Sequence, residues 1–502
     1  AGQGDEGASA RAEPHDGGGL NAPLAEALLR YAGLGVMPCH TPGHKGGRGA
    51  HPLLHRFFTE EGLRADVSLS SELDDLHAPT GCIRAAEELA AETYGADAAF
   101  FMVNGTTGAV HTMLLAALAP GDVLLVPRNV HRSVVGAMVL TGVRPVYMQP
   151  EIDTRLGIAM GVSLRTVERA VCEHPEARAA LLVYPTYYGV ATELAVIADF
   201  LHAQGKLLLV DAAHGAHFAF SDELPPSAMA AGADLSAEST HKLLGSLTQT
   251  SMLLARGGRV PTERIRAASG IVQSTSPNEI LLASLDLARA QMAGEGRDCL
   301  AAAIRAAEEL RRCINEIDGL WAFGAEYMGA DGMAALDPLK VTVQVAGLGL
   351  SGFAAEEELR RRNIACELAD ARNVLLLLSY ADGERETERL FAALRGMAEE
   401  NAPMCISRGA APFLALPPIP ETALAPRDAY FARSKHVDVG AAEGRVAAET
   451  IVFYPPGIPV LAPGDVIDGA TLAYLRAMKA AGARVVGAAD ASLGTLMVIA
   501  KG

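Results

Sequence analysis

From about residue 83 the chain alternates two kinds of pattern, and this alternation limits the fold more than any other feature. "IRAAEELAAETYG" precedes "AAFFMV", "TTGAVHTMLLAALA" precedes "DVLLVP", and "SVVGAMVLTG" precedes "RPVYM". "SLRTVERAVCEH" then leads to "AALLVYP", and "ELAVIADFLHAQG" to "KLLLVDAAHGAH". Short, continuous apolar strands separated by helices signal parallel strands covered on both faces. The expected fold is a doubly wound α/β domain with a mostly parallel sheet. In such sheets ligands sit beyond the carboxyl ends of the strands. The loops there are polar: "NGTTG", "PRNVHRS", "PTYYG" and "DAAHGAH", followed by "STHKLLGS".

Taken singly, these loops have ordinary explanations. Asn104, Gly105, Thr106 and Thr107 suit a helix cap, or a cradle in which helix-start amides and two hydroxyls meet an anion. His131 alone reads as a capping or surface histidine, and Asp211 alone as an N-cap. Lys242 is harder to dismiss, because "STH" and "LLGS" around it offer too little polarity for a solvated face. It either snorkels out of an apolar wall or is buried, with a lowered pKa and a neutral amine able to form a Schiff base. Together, an imine-forming lysine, a strand-end aspartate, a Gly-Thr-Thr loop and a histidine are the components of a pyridoxal phosphate site. Asp211 would face the pyridine nitrogen and His131 the ring, with Ser239 and His241 joining Thr106 and Thr107 at the phosphate.

Composition excludes several alternatives. A chain of 502 residues is long enough for two to four cores. Its 59 acidic against 42 basic residues, net −17, argue against a nucleic-acid or anionic-membrane partner and favour a cationic substrate only weakly. The seven cysteines (Cys39, Cys82, Cys172, Cys299, Cys313, Cys366, Cys405) form no C-x-x-C pair. They read as reduced thiols of a cytoplasmic protein, with no metal site. No apolar run reaches the roughly 18 residues a membrane span needs. Residues 1–20 lack a signal-peptide core and read as a flexible tail.

The expected domains are a large cofactor domain over 21–300, a small α/β domain over 301–408 and an α+β C-terminal domain over 409–502. A long helical pattern over 276–317 would join the first two, and the proline-rich 411–429 would lead to the third. Within the third, "YPPGIPVLAPGD" (454–465) reads as a rigid turn at the mouth of the site. Glu449 and Asp465 are acidic candidates for a distal amine or guanidinium, with ordinary surface acids as the plain alternative. "GLGLSG" (347–352) fits G-x-G-x-x-G, with Glu367 and Asp370 spaced for a ribose contact. No second βαβ half follows it, so a tight strand-to-helix turn is expected.

"HTPGHKGG" (40–47), "LDDLHAPTG" (73–81), "NGTTGAVHTML" (104–114), "DAAHGAHF" (211–218) and "STHKLLGSLTQTSML" (239–253) resemble the Orn/Lys/Arg decarboxylase family of fold-type-I pyridoxal phosphate enzymes. "STSPNEILLASLD" (274–286), "APRDAYF" (425–431) and "YPPGIPVLAPGD" extend the resemblance to nearly the whole chain. It implies a carboxy-lyase that converts arginine, lysine or ornithine to a polyamine-pathway amine and CO2. It further implies that Lys242 carries pyridoxal 5'-phosphate, Asp211 binds the ring nitrogen, and His131 and Ala213 lie on opposite ring faces. Gly105, Thr106, Thr107, Ser239 and His241 would hold the phosphate, and His214 would lie near the ring oxygen. Thr275 or Ser276 would add a contact across the interface of a homodimer or higher homo-oligomer. With about twenty residues ahead of the core, the chain resembles the short, biosynthetic-type branch without a wing domain. Ser68, Leu69 and Glu72 depart from the pattern of many relatives, which leaves the choice among the three basic amino acids open. The rivals are another fold-type-I activity, an aminotransferase or aldolase, and a non-catalytic regulatory paralogue. The paralogue is expected to have lost Lys242 or Asp211, and both are present.

Overall fold

The computed structural model describes residues 21–68, 73–408, 416–453 and 457–500. The tail expected over 1–20, Leu69 and Glu72, the start of the proline-rich linker and the turn over 454–456 lie outside the described residues. Seven strands form the main sheet: β1 (Ala98–Met102), β2 (Val123–Pro127), β3 (Arg144–Met148), β4 (Ala179–Val183), β5 (Leu207–Ala212), β6 (Leu235–Glu238) and β7 (Ser251–Ala255). Their spatial order is β1-β7-β6-β5-β4-β2-β3. Pairings from β3 through β6 are parallel, whereas β7 runs antiparallel to both β1 and β6. Successive residues serve opposite faces, as strand geometry requires. Phe101, Leu125, Leu182 and Leu208 belong to one core, and Phe100, Leu124, Leu181 and Leu209 to the other. Helices cover both faces, so the strands read as unbroken apolar runs.

The helical pattern over 276–317 forms one helix, Glu279–Ile314, of 36 residues. It runs straight through residue 300, where a domain boundary was expected. Near its start Asp286 accepts the backbone N–H of Leu24 at 2.9 Å. That carboxylate supplies the cap that Ala22 cannot give to the helix Pro23–Gly33. Beyond the long helix lies a four-stranded antiparallel sheet of β8 (Trp321–Ala322), β9 (Lys340–Gln344), β10 (Leu368–Ala369) and β11 (Asn373–Leu377), ordered β8-β9-β11-β10. The C-terminal unit pairs Ser434–Asp438 with Thr495–Ile499, and Ile451–Phe453 with Ile458–Leu461 and Val485–Val486. No helix of the described residues is long and apolar enough to cross a membrane.

The glycine-rich stretch 347–352 is a packing turn. Ser351 caps the helix Gly352–Arg361 by accepting the amide of Ala354 at 3.2 Å. A Cβ on Gly352 would collide with the carbonyl oxygens of Asp370 and Asn373, so the glycine lets the helix start against the turn before β11. Asp370 is itself occupied, accepting the hydroxyl of Tyr188 at 2.6 Å and bonding Asn373. Because the obstructing atoms are backbone, Gly352→Ala is expected to lower stability by about 3 kcal/mol. Urea unfolding checks this; an unchanged midpoint would mean the close approach costs nothing to relieve.

Candidate active site

Asp211 lies near the carboxyl end of β5, 4% exposed, and its Oδ1 accepts the amide of Ala213 at 3.2 Å. Burial raises its pKa, and the charge of Lys242 and the Ala213 amide offset this only in part. Lys242 follows β6 on the single-turn helix Thr240–Leu243. Burial lowers the pKa of its amine, against the pull of Asp211 and Glu367. Its Nζ lies 3.0 Å from His214 Nε2 and 5.8 Å from the centroid of the Tyr187 ring. The amine therefore points inward, into a cavity of about 210 Å³, and does not snorkel to solvent.

The same cavity gathers Gly105, Thr106, Thr107, His131, Ala213, His214, Ser239 and His241 around Asp211 and Lys242. Gly105 opens the helix Gly105–Ala117 directly after β1, with φ +63° and its N–H given to the Gln249 carbonyl at 2.8 Å. The first-turn amides of a helix lack intrahelical partners, and the dipole favours an anion there. Thr106 Oγ1 is 3.0 Å from Ser251 Oγ. His241 is oriented by the Thr250 carbonyl, 2.6 Å from its Nδ1. His131 caps the helix Arg132–Thr141, its Nδ1 accepting the Ser133 amide at 3.2 Å, so its ring proton sits on Nε2. Burial above all, then the charges of Lys242 and Arg132, push its pKa down to about 4.

Four sequence candidates stay outside. Thr275 and Ser276 are exposed in the loop before the long helix and do not line the cavity. Glu449, a candidate for the distal group of a substrate, spends its carboxylate on the amides of Ala489 and Met497, both at 2.7 Å. Asp465 is 1% exposed and bonded to Arg128 Nη2 at 2.6 Å and to the Ala462 amide at 2.8 Å. Neither acid lines the cavity, because each is already consumed in holding the C-terminal unit together or in place.

Sequence reasoning missed three groups. Tyr187 belongs to the loop "PTYYG", and its ring packs 4.9 Å from that of His214. Glu367, spaced in sequence for a ribose contact, instead exerts its charge on Lys242, His241 and Lys340. Lys340 gave no signal beyond the first position of a strand.

The depressed pKa of His131 has a sign. The unfolded chain takes up the proton near the ordinary 6.5, whereas the folded protein takes it up near 4. Stability is then full above about 6.5 and is lost as pH falls towards 4. His131→Asn keeps a capping acceptor and is expected to flatten that part of the stability curve. Urea midpoints across this range check it, and parallel curves for the two proteins would count against the burial of a neutral imidazole.

The sequence matches the Orn/Lys/Arg decarboxylase major domain over residues 22–386 and the Orn/Lys/Arg decarboxylase C-terminal domain over 412–498. It is 41% identical over 478 residues to an arginine decarboxylase of Bacillus subtilis, covering 95% of this chain and 97% of that one. It is 42% identical over 480 residues to an arginine decarboxylase of Bacillus anthracis, with the same coverage. The fold superposes on lysine decarboxylase A of Pseudomonas aeruginosa with a TM-score of 0.83 at 24% identity, covering 96% of this chain and 81% of that one. The buried amine, the strand-end carboxylate and the helix-start cradle thus occur in a chain that belongs to the Orn/Lys/Arg decarboxylase family.

Proposed function

We propose that this protein decarboxylates a basic amino acid, arginine foremost, with pyridoxal 5'-phosphate held at Lys242. The observation that carries the reading is the convergence on one cavity of a desolvated amine, a buried strand-end carboxylate and an anion cradle. These donors fit that cofactor. Gly105, Thr106, Thr107, Ser239 and His241 would take the phosphate, Asp211 the ring nitrogen, His131 and Ala213 the ring faces, and Lys242 the aldehyde. When bound, the cofactor supplies a sink for the electron pair left at Cα as the bond to the carboxylate breaks. Asp211 would keep a proton on the ring nitrogen. Lys242 Nζ, beside His214 Nε2, is placed to return a proton to Cα. His131, neutral at physiological pH, shields the site without adding positive charge. Arginine is favoured over lysine because the similarity to arginine decarboxylases is 41–42%, against 27% to a lysine decarboxylase of Pseudomonas aeruginosa.

Glu367, an exposed acid outside the cavity lining whose charge reaches Lys242 and Lys340, would draw a cationic substrate towards the site. Adding pyridoxal phosphate should produce a visible absorption band that Lys242→Ala lacks. The holoenzyme should release CO2 from arginine faster than from lysine or ornithine. Asp211→Asn should lower kcat at least ~10²-fold, and Glu367→Gln should raise KM more than it lowers kcat. A protein that forms the band and transaminates arginine without releasing CO2 would establish the aminotransferase rival instead.

We further propose a homodimer. The stretch 34–58 leaves Leu34, Met37 and Phe57 at 61%, 73% and 80% exposure, apolar side chains that a second subunit would cover. Thr275 and Ser276, exposed here, would then be free to reach a neighbouring subunit's site. Sedimentation velocity should show twice the chain mass, shifted towards one by Phe57→Asp; a wild-type monomer at micromolar concentration rules the proposal out.

A further inference from the structure

His214 stands between two lysines. Its Nε2 lies 3.0 Å from Lys242 Nζ, and its Nδ1 lies 2.5 Å from Nζ of Lys340. Lys340 opens β9, 126 residues beyond His214 in the chain, and is 1% exposed. Its path to the imidazole runs over Gly189, where φ is +86° and a Cβ would fall 2.7 Å from Lys340 Cβ. Asp337, fully buried three residues before Lys340, supplies the nearby negative charge. His217 Nε2 lies 3.1 Å from the same carboxylate.

A neutral imidazole carries one N–H and one acceptor nitrogen. It cannot accept from two ammonium groups, so one of the two lysines must be the unprotonated partner. Burial above all holds His214 well below the ordinary histidine range, and the charge of Lys340 acts in the same direction, so its ring is neutral. On the reading that Lys242 is the amine that reacts with the cofactor aldehyde, Lys242 is the neutral one. Lys340 is then the donor: its ammonium gives a hydrogen bond to Nδ1 and the ring proton resides on Nε2.

We propose that Lys340 is a positioning residue that locks His214 in the Nε2–H tautomer and so presents an N–H donor to the Lys242 nitrogen. The inference rests on the assignment of Lys242 above. Gly189 belongs to the same device, since it leaves the space through which the Lys340 stem passes.

The direct test is the tautomer of His214 in the protein without cofactor. Long-range ¹H–¹⁵N correlations on histidine-labelled protein, with His214 identified by its loss in His214→Asn, should show Nε2 protonated and Nδ1 bare. A wild-type His214 protonated on Nδ1, or on both nitrogens, overturns the proposal and needs no variant to fold. In Lys340→Met, which keeps the length of the stem, the tautomer should change; an unchanged tautomer in a folded variant also overturns it. A second readout uses the holoenzyme. Removing Lys340 should move the pH midpoint of the visible band upward by about one unit, and most of that shift should vanish in a His214→Asn background. A shift that persists in full there would mean Lys340 acts only as a distant charge, and the positioning role falls. The two assignments fail separately: a normal visible band with the wrong tautomer sinks only Lys340's role, whereas no band at all sinks the reading of Lys242 on which it rests.

Discussion

The site depends on keeping one amine out of water. An isolated ammonium in a protein interior is costly, and the chain meets the cost by lowering the pKa of Lys242 while keeping Asp211 in electrostatic reach. The two groups constrain each other. Without the amine, Asp211 would be a buried carboxylate with little beyond the Ala213 amide to hold its charge. Without the carboxylate, desolvation of Lys242 would be opposed mainly by the weaker pull of Glu367.

The sheet makes this pairing available. β5 and β6 are adjacent and parallel, with Asp211 opposite Ala237 in the register. The residues that follow both strands therefore emerge at the same rim, which brings Lys242 to Asp211 over 31 residues of chain. β1 contributes the helix-start cradle to the same rim although it is joined to the sheet through the antiparallel β7. Its neighbour fixes the cradle: the Gln249 carbonyl just before β7 accepts the Gly105 amide, and Ser251 meets Thr106.

Most of this was legible because the controlling signals are local. Helix and strand alternate with distinct periods, and the polar loops between them are contiguous in sequence, so Gly105, His131, Asp211 and Lys242 could be placed on one rim without coordinates. The unread residues depend on partners far away along the chain. Nothing around Lys340 tells that a glycine at 189 has cleared a path for it, and in sequence a lysine at a strand start reads as solvated. Glu449 and Asp465 are the converse case. Each looked unspent, but the amides of Ala489 and Met497 and the guanidinium of Arg128 were invisible as their partners. The antiparallel β7 likewise escapes periodicity, which does not report strand direction.

The contact between Arg128 and Asp465 has a bearing on how such a chain can change over time. Arg128 stands three residues before His131, and Asp465 belongs to the C-terminal unit, which also offers Arg128 the Val460 carbonyl at 3.0 Å. Severing a buried ion pair by removing one member costs about 3–5 kcal/mol. The last ninety or so residues are therefore no detachable ornament on a self-sufficient catalytic body. Loss of that unit would deprive Arg128 of both the Asp465 carboxylate and the Val460 carbonyl, three residues from His131, so the shape of the site's rim leans on a part of the chain far from it in sequence.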